Sequence, residues 1–569
     1  MKPKYSSREE QALAEAGRTT ISAGQKIFLA AVFLAAVFSV PVYQQIAEVS
    51  AYLDGRRLKA LPQCYDILSP AFSALKKILR PADFSLKYFF KVNAELLREM
   101  RAYENALEDS SRVGRAVRPC AQYLMTRWLG AGNDKTYCGR GAWLFYRPDI
   151  EYAVNRGFLE NNVMARRAAS GSETEPPPHP DPRPAITGFN AELSARGIKL
   201  ILMPTPVKPV VHPEKFAVGF EGFARPIQNL SYQRFAAGME KAGIPVFDVA
   251  PELVRDKETN KRDQFLAGDT HWRPEAMEHA ARLLAAFVKE HAALPPAPAA
   301  GYTAERTNIA CRGDIVGMLR LPEESDNFGA QEVSIRRVFD SSGRPWRPSR
   351  AADILLLGDS FANIYSLEAM GWGGGAGLAE QLSREMQRPV DFLAVNDNGA
   401  CATRELLARE LARGNDHLAG KRAVIWQFAA RELTAGDWKI VPLERAAKES
   451  SFLSLAAGGR LVVTGEIKAV ARAPRPGTVP YSDHIIAARI VGAAAGSSQF
   501  IQALVYMFSM TNNTLTPAAG LMAGDRVTLR LRPWAEVSAE YERINRADLD
   551  DPELLVQEPC WGELISEGE

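Results

Sequence analysis

Asp269-Thr270-His271-Trp272 and, further along the chain, Gly358-Asp359-Ser360-Phe361 together hold the side chains of a Ser-His-Asp nucleophile. A serine hydroxyl attacks poorly until a neutral imidazole takes its proton, and the imidazole needs a carboxylate to set its tautomer and steady its charge. One tripeptide supplies both helpers. The chemistry indicated is acyl transfer, with Ser360 as nucleophile, His271 as base and Asp269 as orienting acid. Alone, a Gly-Asp-Ser is an ordinary turn and an Asp-x-His an ordinary helix cap; their pairing carries the reading. None of the other six of the seven histidines has a better nucleophile partner. A metal site built from Asp269, His271 and His279 is the poorer alternative, because no further His or Cys stands at usable spacing and there is no Cys-x-x-Cys. Neither a Gly-x-Gly-x-x-Gly at a strand end nor a phosphate loop is present, so no soluble cofactor is expected.

The elements that must position these groups are legible around them. Residues 352–357 form an apolar run that ends at Gly-Asp-Ser, the pattern of a buried parallel strand opening into a loop at its carboxyl end. Catalytic groups of open α/β sheets gather at that edge. A helix over Leu378 to Met386, a strand over 390–395, a helix over Ala402 to Arg413 and a strand over 423–428 follow, giving β-α-β-α-β. Residues 198–203 add a further strand. The spacing predicts an α/β, doubly wound domain. Pro274 opens a helix directly after His271, so its positive end disfavours an imidazolium while Asp269 favours one.

Five segments in this order resemble the alginate O-acetyltransferase family, AlgX/AlgJ type: Gly139 to Arg147, Pro204 to Lys208, Asp269 to Trp272, Cys311 to Leu319 and Gly358 to Phe361. The resemblance covers roughly residues 120 to 435 and implies an SGNH-hydrolase-like fold in which Asp-x-His precedes the serine. It carries the nucleophile onto Ser360, the base onto His271 and the acid onto Asp269. For the oxyanion and substrate groups, the Ser360 backbone N–H comes first, with Tyr365, Asn398, Gly399 and Arg404 as companions; a turn or a cap is the alternative for each. The resemblance also implies a disulfide between Cys311 and either Cys120 or Cys138, free buried thiols being the alternative. Its further implications are an exopolysaccharide acceptor and an acetyl donor supplied by a membrane-embedded acyltransferase.

Composition bounds where this chemistry happens. The chain has 569 residues, 46% of them hydrophobic, enough for two cored domains, and its net charge of +2 gives no reason to invoke nucleic acid. Ile27 to Tyr43 is uncharged and spans about 26 Å at ~1.5 Å per residue, long enough for a thin bilayer. The basic residues before it predict a cytoplasmic N-terminal segment (1–26), a retained single-pass inner-membrane anchor (27–43) and a body in the periplasm. Six cysteines, including Cys64, Cys401 and Cys560, suit export without making a disulfide scaffold. Residues 44–118 read as a helical stalk, 119–448 as the catalytic domain and 449–569 as a β-sandwich. The resemblance implies that this last segment is carbohydrate-binding-module-like; Tyr481, Tyr506, Trp534, Tyr541 and Trp561 are its candidates for stacking on sugars, core packing being the alternative for each. The function expected is O-acetyl transfer to an exopolysaccharide through an acetyl-serine. An acetylesterase using the same triad and a non-catalytic polysaccharide-binding scaffold are the alternatives.

Overall fold

The computed structural model describes residue 8, residues 22–53, scattered positions between 62 and 108, and residues 111–565 apart from 171–176, 323–324, 326, 397–398, 444–451, 457, 475, 477–478, 480, 495–499, 542–543, 550–553 and 555–556. Most of the expected stalk therefore lies outside the described residues. The chain divides into two compact units, Met1–Val117 and Arg118–Glu569.

In the first unit, α1 (Ala23–Leu53) contains the whole uncharged run and continues past it. Ile27, Phe28, Leu29, Val32, Phe33 and Phe38 are all exposed along it, an apolar surface that the described residues of its own unit leave uncovered. It is the one helix among the described residues long and apolar enough to cross a membrane.

The first strands of the second unit are the hairpin of β1 (Thr136–Cys138) and β2 (Leu144–Tyr146). β3 (Lys199–Thr205) and α2 (Pro274–His291) follow, then an antiparallel pair, β4 (Thr303–Cys311) and β5 (Gln331–Phe339). β6 (Ile354–Gly358) runs into the single turn α3 (Ser360–Asn363). α4 (Leu378–Met386), β7 (Asp391–Ala394), α5 (Ala402–Ala412) and β8 (Ala423–Ala429) complete the α/β part. β3, β8, β6 and β7 form a four-stranded sheet in that order, with every pairing parallel. Every residue of β6 and β8 is buried, and successive side chains of a strand point to opposite faces, so both faces of the sheet are covered. On one of them Phe189 meets Trp426 of β8 edge to face at 5.6 Å. The strands fall where the apolar runs predicted them. The β4–β5 pair was not expected.

The C-terminal region differs from the expected sandwich. Its strands are β9 (Leu461–Val470), β10 (His484–Ala494), β11 (Phe500–Thr511), β12 (Thr514–Leu515), β13 (Arg526–Pro533), β14 (Asn545–Ala547) and β15 (Cys560–Leu564). They form one sheet in the order β12-β11-β15-β13-β9-β10-β14, and an additional β10–β11 pairing closes it into a barrel. Alternation along the strands fills the inside with Ile467, Ile486, Ala488, Ile490, Val505 and Leu529, while Ile485, Ala487, Leu504 and Tyr506 face outward in a second cluster. A closed barrel has one interior, so alternate residues share a core without a second sheet. The barrel also joins the main core through Tyr481 and Met510.

Candidate active site

The Asp269–His271 pair is made by a loop that closes on itself just before α2. Leu266 N–H donates to the His271 carbonyl at 3.1 Å, and Arg273 N–H to the Gln264 carbonyl at 2.8 Å. Within the loop Asp269 Oδ1 accepts the His271 backbone N–H at 3.0 Å and lies 2.7 Å from His271 Nδ1. A carboxylate on Nδ1 fixes the tautomer that leaves Nε2 with its lone pair. Asp269 and His271 are each 1% exposed, and His271 Nε2 has no hydrogen-bond partner among the described residues.

Two further donors hold Asp269 Oδ2: the Trp372 indole N–H at 2.8 Å and the Asp314 N–H at 2.9 Å. The close approach of the second requires glycine on both sides. Gly313 has φ +94°, and a Cβ there would meet the Gly268 carbonyl oxygen at 2.5 Å; a Cβ on Gly268 would meet the Arg312 carbonyl oxygen at the same distance. Asp314 in turn accepts the Thr270 N–H at 2.7 Å and the Thr270 hydroxyl at 2.8 Å, and its Oδ2 is 3.9 Å from His271 Nδ1. Ligand atoms of Asp269, His271 and Asp314 lie within 4.8 Å of one another. Those carboxylates already accept N–H and O–H donors, which is the surrounding of an oriented acid rather than of a metal. His279 stands apart from this group, bonded to Arg282 at 3.2 Å.

Burial opposes charge on the histidine, but the hydrogen bond and charge of Asp269, with Asp314 behind it, outweigh burial and raise the His271 pKa above its ordinary value. Burial likewise pushes Asp269 up, yet His271 and the Trp372 hydrogen bond bring its pKa well below the usual carboxylate range. Asp314 is pushed up to about 6 by burial and by the Asp269 charge. Lys208 is fully buried and donates to the Leu144 carbonyl at 2.7 Å; burial brings its pKa down to about 8 against the pull of Asp269, Asp314 and Asp149.

Ser360 opens α3 at the carboxyl end of β6 and is 1% exposed. Asp359 anchors this turn as the α3 cap: its Oδ1 accepts the Phe361 N–H at 2.8 Å and the Gln427 amide at 2.8 Å, and its Oδ2 accepts the Ala429 N–H at 2.6 Å. Gln427 also donates to Thr205 Oγ1 at 2.9 Å, so the ends of β3, β6 and β8 are tied together. The His271 segment lies directly against the turn. His271 meets the Phe361 ring at 4.8 Å, and the Trp272 indole donates to the Phe361 carbonyl at 3.1 Å. No hydrogen bond joins Ser360 to His271 Nε2 in this arrangement. Such bonds commonly tighten only with substrate in place. On the far side Arg431 pairs with the buried Asp149 at 3.0 Å and lies 5.8 Å from the Phe361 ring centre.

Of the other expected site groups, Tyr365 and Arg404 are committed to backbone carbonyls. Tyr365 is fully buried, and its hydroxyl donates to the Trp272 carbonyl at 2.7 Å, which braces the histidine segment. Arg404 is buried over the Phe189 ring and donates to the Val441 carbonyl at 2.8 Å, so its charge is spent beneath α5. Gly399 turns with φ +79° against Glu432, and Asn398 lies outside the described residues. All six cysteines are free thiols, so the implied Cys311 bridge to Cys120 or Cys138 is not formed. Cys120 is exposed, Cys138 packs with Leu144, Ile315 and Leu319, and Cys311 packs against the main core. Among the aromatics offered for sugar stacking, Tyr506, Trp534 and Trp561 pack on one another, and Tyr481 is buried beside His484. Tyr541 alone of the five is partly open, lining a cavity of about 290 Å³ with Phe508, Trp561 and Glu563.

Sequence reasoning missed Trp372 and Asp149 as neighbours of the site and assigned no role to Lys208 or Arg431, which stand beyond strand ends. A lone tryptophan inside the glycine run 371–375 was the available signal for the first.

Residues 137–430 match the family described as SGNH hydrolase-like domain, acetyltransferase AlgX. Among curated relatives, the probable alginate O-acetylase AlgJ of Pseudomonas aeruginosa is 28% identical over 275 residues, 47% of this chain and 62% of its own. AlgJ of Pseudomonas syringae pv. tomato is 32% identical over 223 residues, 39% of this chain and 50% of its own. The chain thus spans less than two thirds of the length of these relatives. The O-acetyltransferase domain of Pseudomonas putida AlgJ superposes with a TM-score of 0.38 at 19% identity, over 52% of this chain and 92% of that one. With the matched residues covering more than half of its length, the chain belongs to the AlgX-type acetyltransferase family, whose shared part is an SGNH hydrolase-like domain.

Proposed function

We propose that this chain carries an acetyl group as an ester of Ser360 and passes it to a hydroxyl of an exopolysaccharide on the periplasmic side of an inner membrane. The observation that carries the reading is the buried Asp269–His271 pair, 2.7 Å between carboxylate and Nδ1, seated against the turn that presents Ser360. In the first half reaction Ser360 Oγ attacks the acetyl carbonyl as His271 Nε2 takes its proton, and the same proton leaves with the donor alcohol or thiol. In the second, Nε2 takes the proton of a sugar hydroxyl, the sugar oxygen forms the new ester bond, and the Ser360 oxygen leaves and recovers the proton. Ionised Asp269 steadies the imidazolium in both.

The donor in this scheme is supplied by a membrane-embedded acyltransferase, consistent with α1 as an anchor. The barrel is assigned to holding polymer, a reading supported by the Phe508, Tyr541 and Trp561 rings around its cavity, since aromatic faces suit sugar C–H faces. The test follows acetyl groups from a small activated ester, with and without acceptor polysaccharide. Wild type should move acetyl to polymer, and Ser360→Ala, His271→Ala and Asp269→Ala should each abolish most of it without additive losses. Acetate release unchanged by acceptor would make the chain an esterase instead.

A further inference from the structure

The turn carrying Ser360 is held from the C-terminal barrel as well as from its own sheet. Asn545, the first residue of β14, accepts the backbone N–H of Asn396 through its Oδ1 at 2.9 Å. The side-chain Oδ1 of Asn396, at the end of β7, accepts the Nδ2 of Asn363 at 2.9 Å, and Asn363 is the last residue of the turn that Ser360 begins. All three asparagines are buried, at 0%, 7% and 3% exposure for Asn363, Asn396 and Asn545. Only one orientation of the Asn545 amide can accept from a backbone N–H, so its oxygen must face β7. Asn545 is itself fixed, because β14 pairs with β10 in register with His484. A second tie lies beyond the turn, where the Ser482 N–H and hydroxyl both donate to the Ala369 carbonyl at 3.3 Å.

The geometry points to Asn545 as a positioning residue for the acyl-transfer site: through Asn396 and Asn363 the barrel sets where the Ser360 turn stands. This rests on the acyl-transfer reading above. It follows that the barrel is part of the catalytic scaffold, and that removing residues 449–569 impairs a small ester as well as polymer. A docked barrel without this role would need only the Arg409–Asp548 ion pair and the shared core contacts.

The experiment compares full-length Asn545→Ala, Asn545→Asp and Asp548→Asn with wild type and Ser360→Ala. Its readouts are amide hydrogen exchange over residues 359–365, kcat and KM for a small activated acetyl ester, and thermal melting. Asn545→Ala should speed exchange at the Ser360 turn and lower kcat about tenfold with KM within about twofold, since small misplacements of a reacting group are costly in rate. Asn545→Asp keeps an oxygen for the Asn396 N–H and should restore most of both. Asp548→Asn should lower the melting temperature while leaving exchange at the turn unchanged. Unchanged exchange in Asn545→Ala, or Asn545→Asp as damaged as Asn545→Ala, would overturn the proposal. If Ser360→Ala turns over the ester as wild type does, the acyl-transfer reading fails separately, and exchange at residues 359–365 still decides whether Asn545 holds the turn.

Discussion

Trp372 donates its indole N–H to Asp269 Oδ2 at 2.8 Å, on the carboxylate oxygen opposite the one that holds His271. The tryptophan belongs to the glycine-rich loop that follows the Ser360 turn, so one stretch of chain carries Ser360, the proposed nucleophile, and also helps hold Asp269 ionised. Replacing Trp372 with Phe preserves most of the packing and removes one hydrogen bond to a buried charge, a loss of roughly 1.5–3 kcal/mol. Transition-state stabilisation should fall by about tenfold or more with the protein still folded, read from kcat and a melting curve. An unchanged kcat would show that Asp269 needs no help from the loop.

Asp314 offers a pH test. Its charge is one of the causes that raise His271, and burial with the Asp269 charge brings its own pKa to about 6. His271 must be neutral to act as the proposed base, so the acid limb of kcat/KM should lie above the ordinary histidine value of about 6.5. Above about pH 6 Asp314 is ionised in the wild type; Asp314→Asn removes that charge, lowers the His271 pKa and moves the limb toward acid. A shift toward alkali would mean that Asp314 reaches His271 in some other way.

How much of this could be read in advance depended on how local the signal was. β3, β6, β7 and β8 are buried on both faces and appear as plain apolar runs, so they were placed within about two residues. Asp269 and His271 are two positions apart and form their bond within one loop. The Trp372 bond to Asp269 joins residues 103 apart and has no local pattern. β4 was missed because Thr303–Cys311 is half exposed and largely polar. Barrel and sandwich share the same alternation, and only the β10–β11 pairing distinguishes them. Tyr365 and Arg404 lie in sequence beyond strand ends, where substrate groups gather, but their polar tips donate to the backbone carbonyls of Trp272 and Val441, partners that no local pattern announces.

Docking of the barrel rests partly on Arg409 of α5, whose guanidinium pairs with Asp548 while Tyr506 donates to the same carboxylate at 3.0 Å. Burial raises the Asp548 pKa, but Arg409 and Arg546 more than reverse it and leave it below the ordinary value. Its contribution to stability is therefore present above the unfolded carboxylate pKa of about 4 and is lost as pH falls through the folded one. Asp548→Ala should cost about 3 kcal/mol near neutral pH, because it leaves Arg409 buried without its partner. Denaturant unfolding at neutral and acid pH checks this, the difference from wild type narrowing on the acid side.

Membrane attachment should reside in the first unit alone. The full chain should stay with membranes through a high-salt wash, while residues 118–569 should be soluble and turn over a small acetyl ester with unchanged kcat. Retention of the shortened protein on membranes would place the attachment in the second unit.

Acetyl transfer through this site requires a covalent acetyl group on Ser360. Incubation with an activated acetyl ester, rapid acid quenching and peptide mass mapping should find one acetyl increment on the peptide containing Ser360, discharged on addition of acceptor polysaccharide. Ser360→Ala should carry none. Acetyl found only elsewhere in the chain, or an acetyl-Ser360 that acceptor fails to discharge, would rule out transfer through this serine.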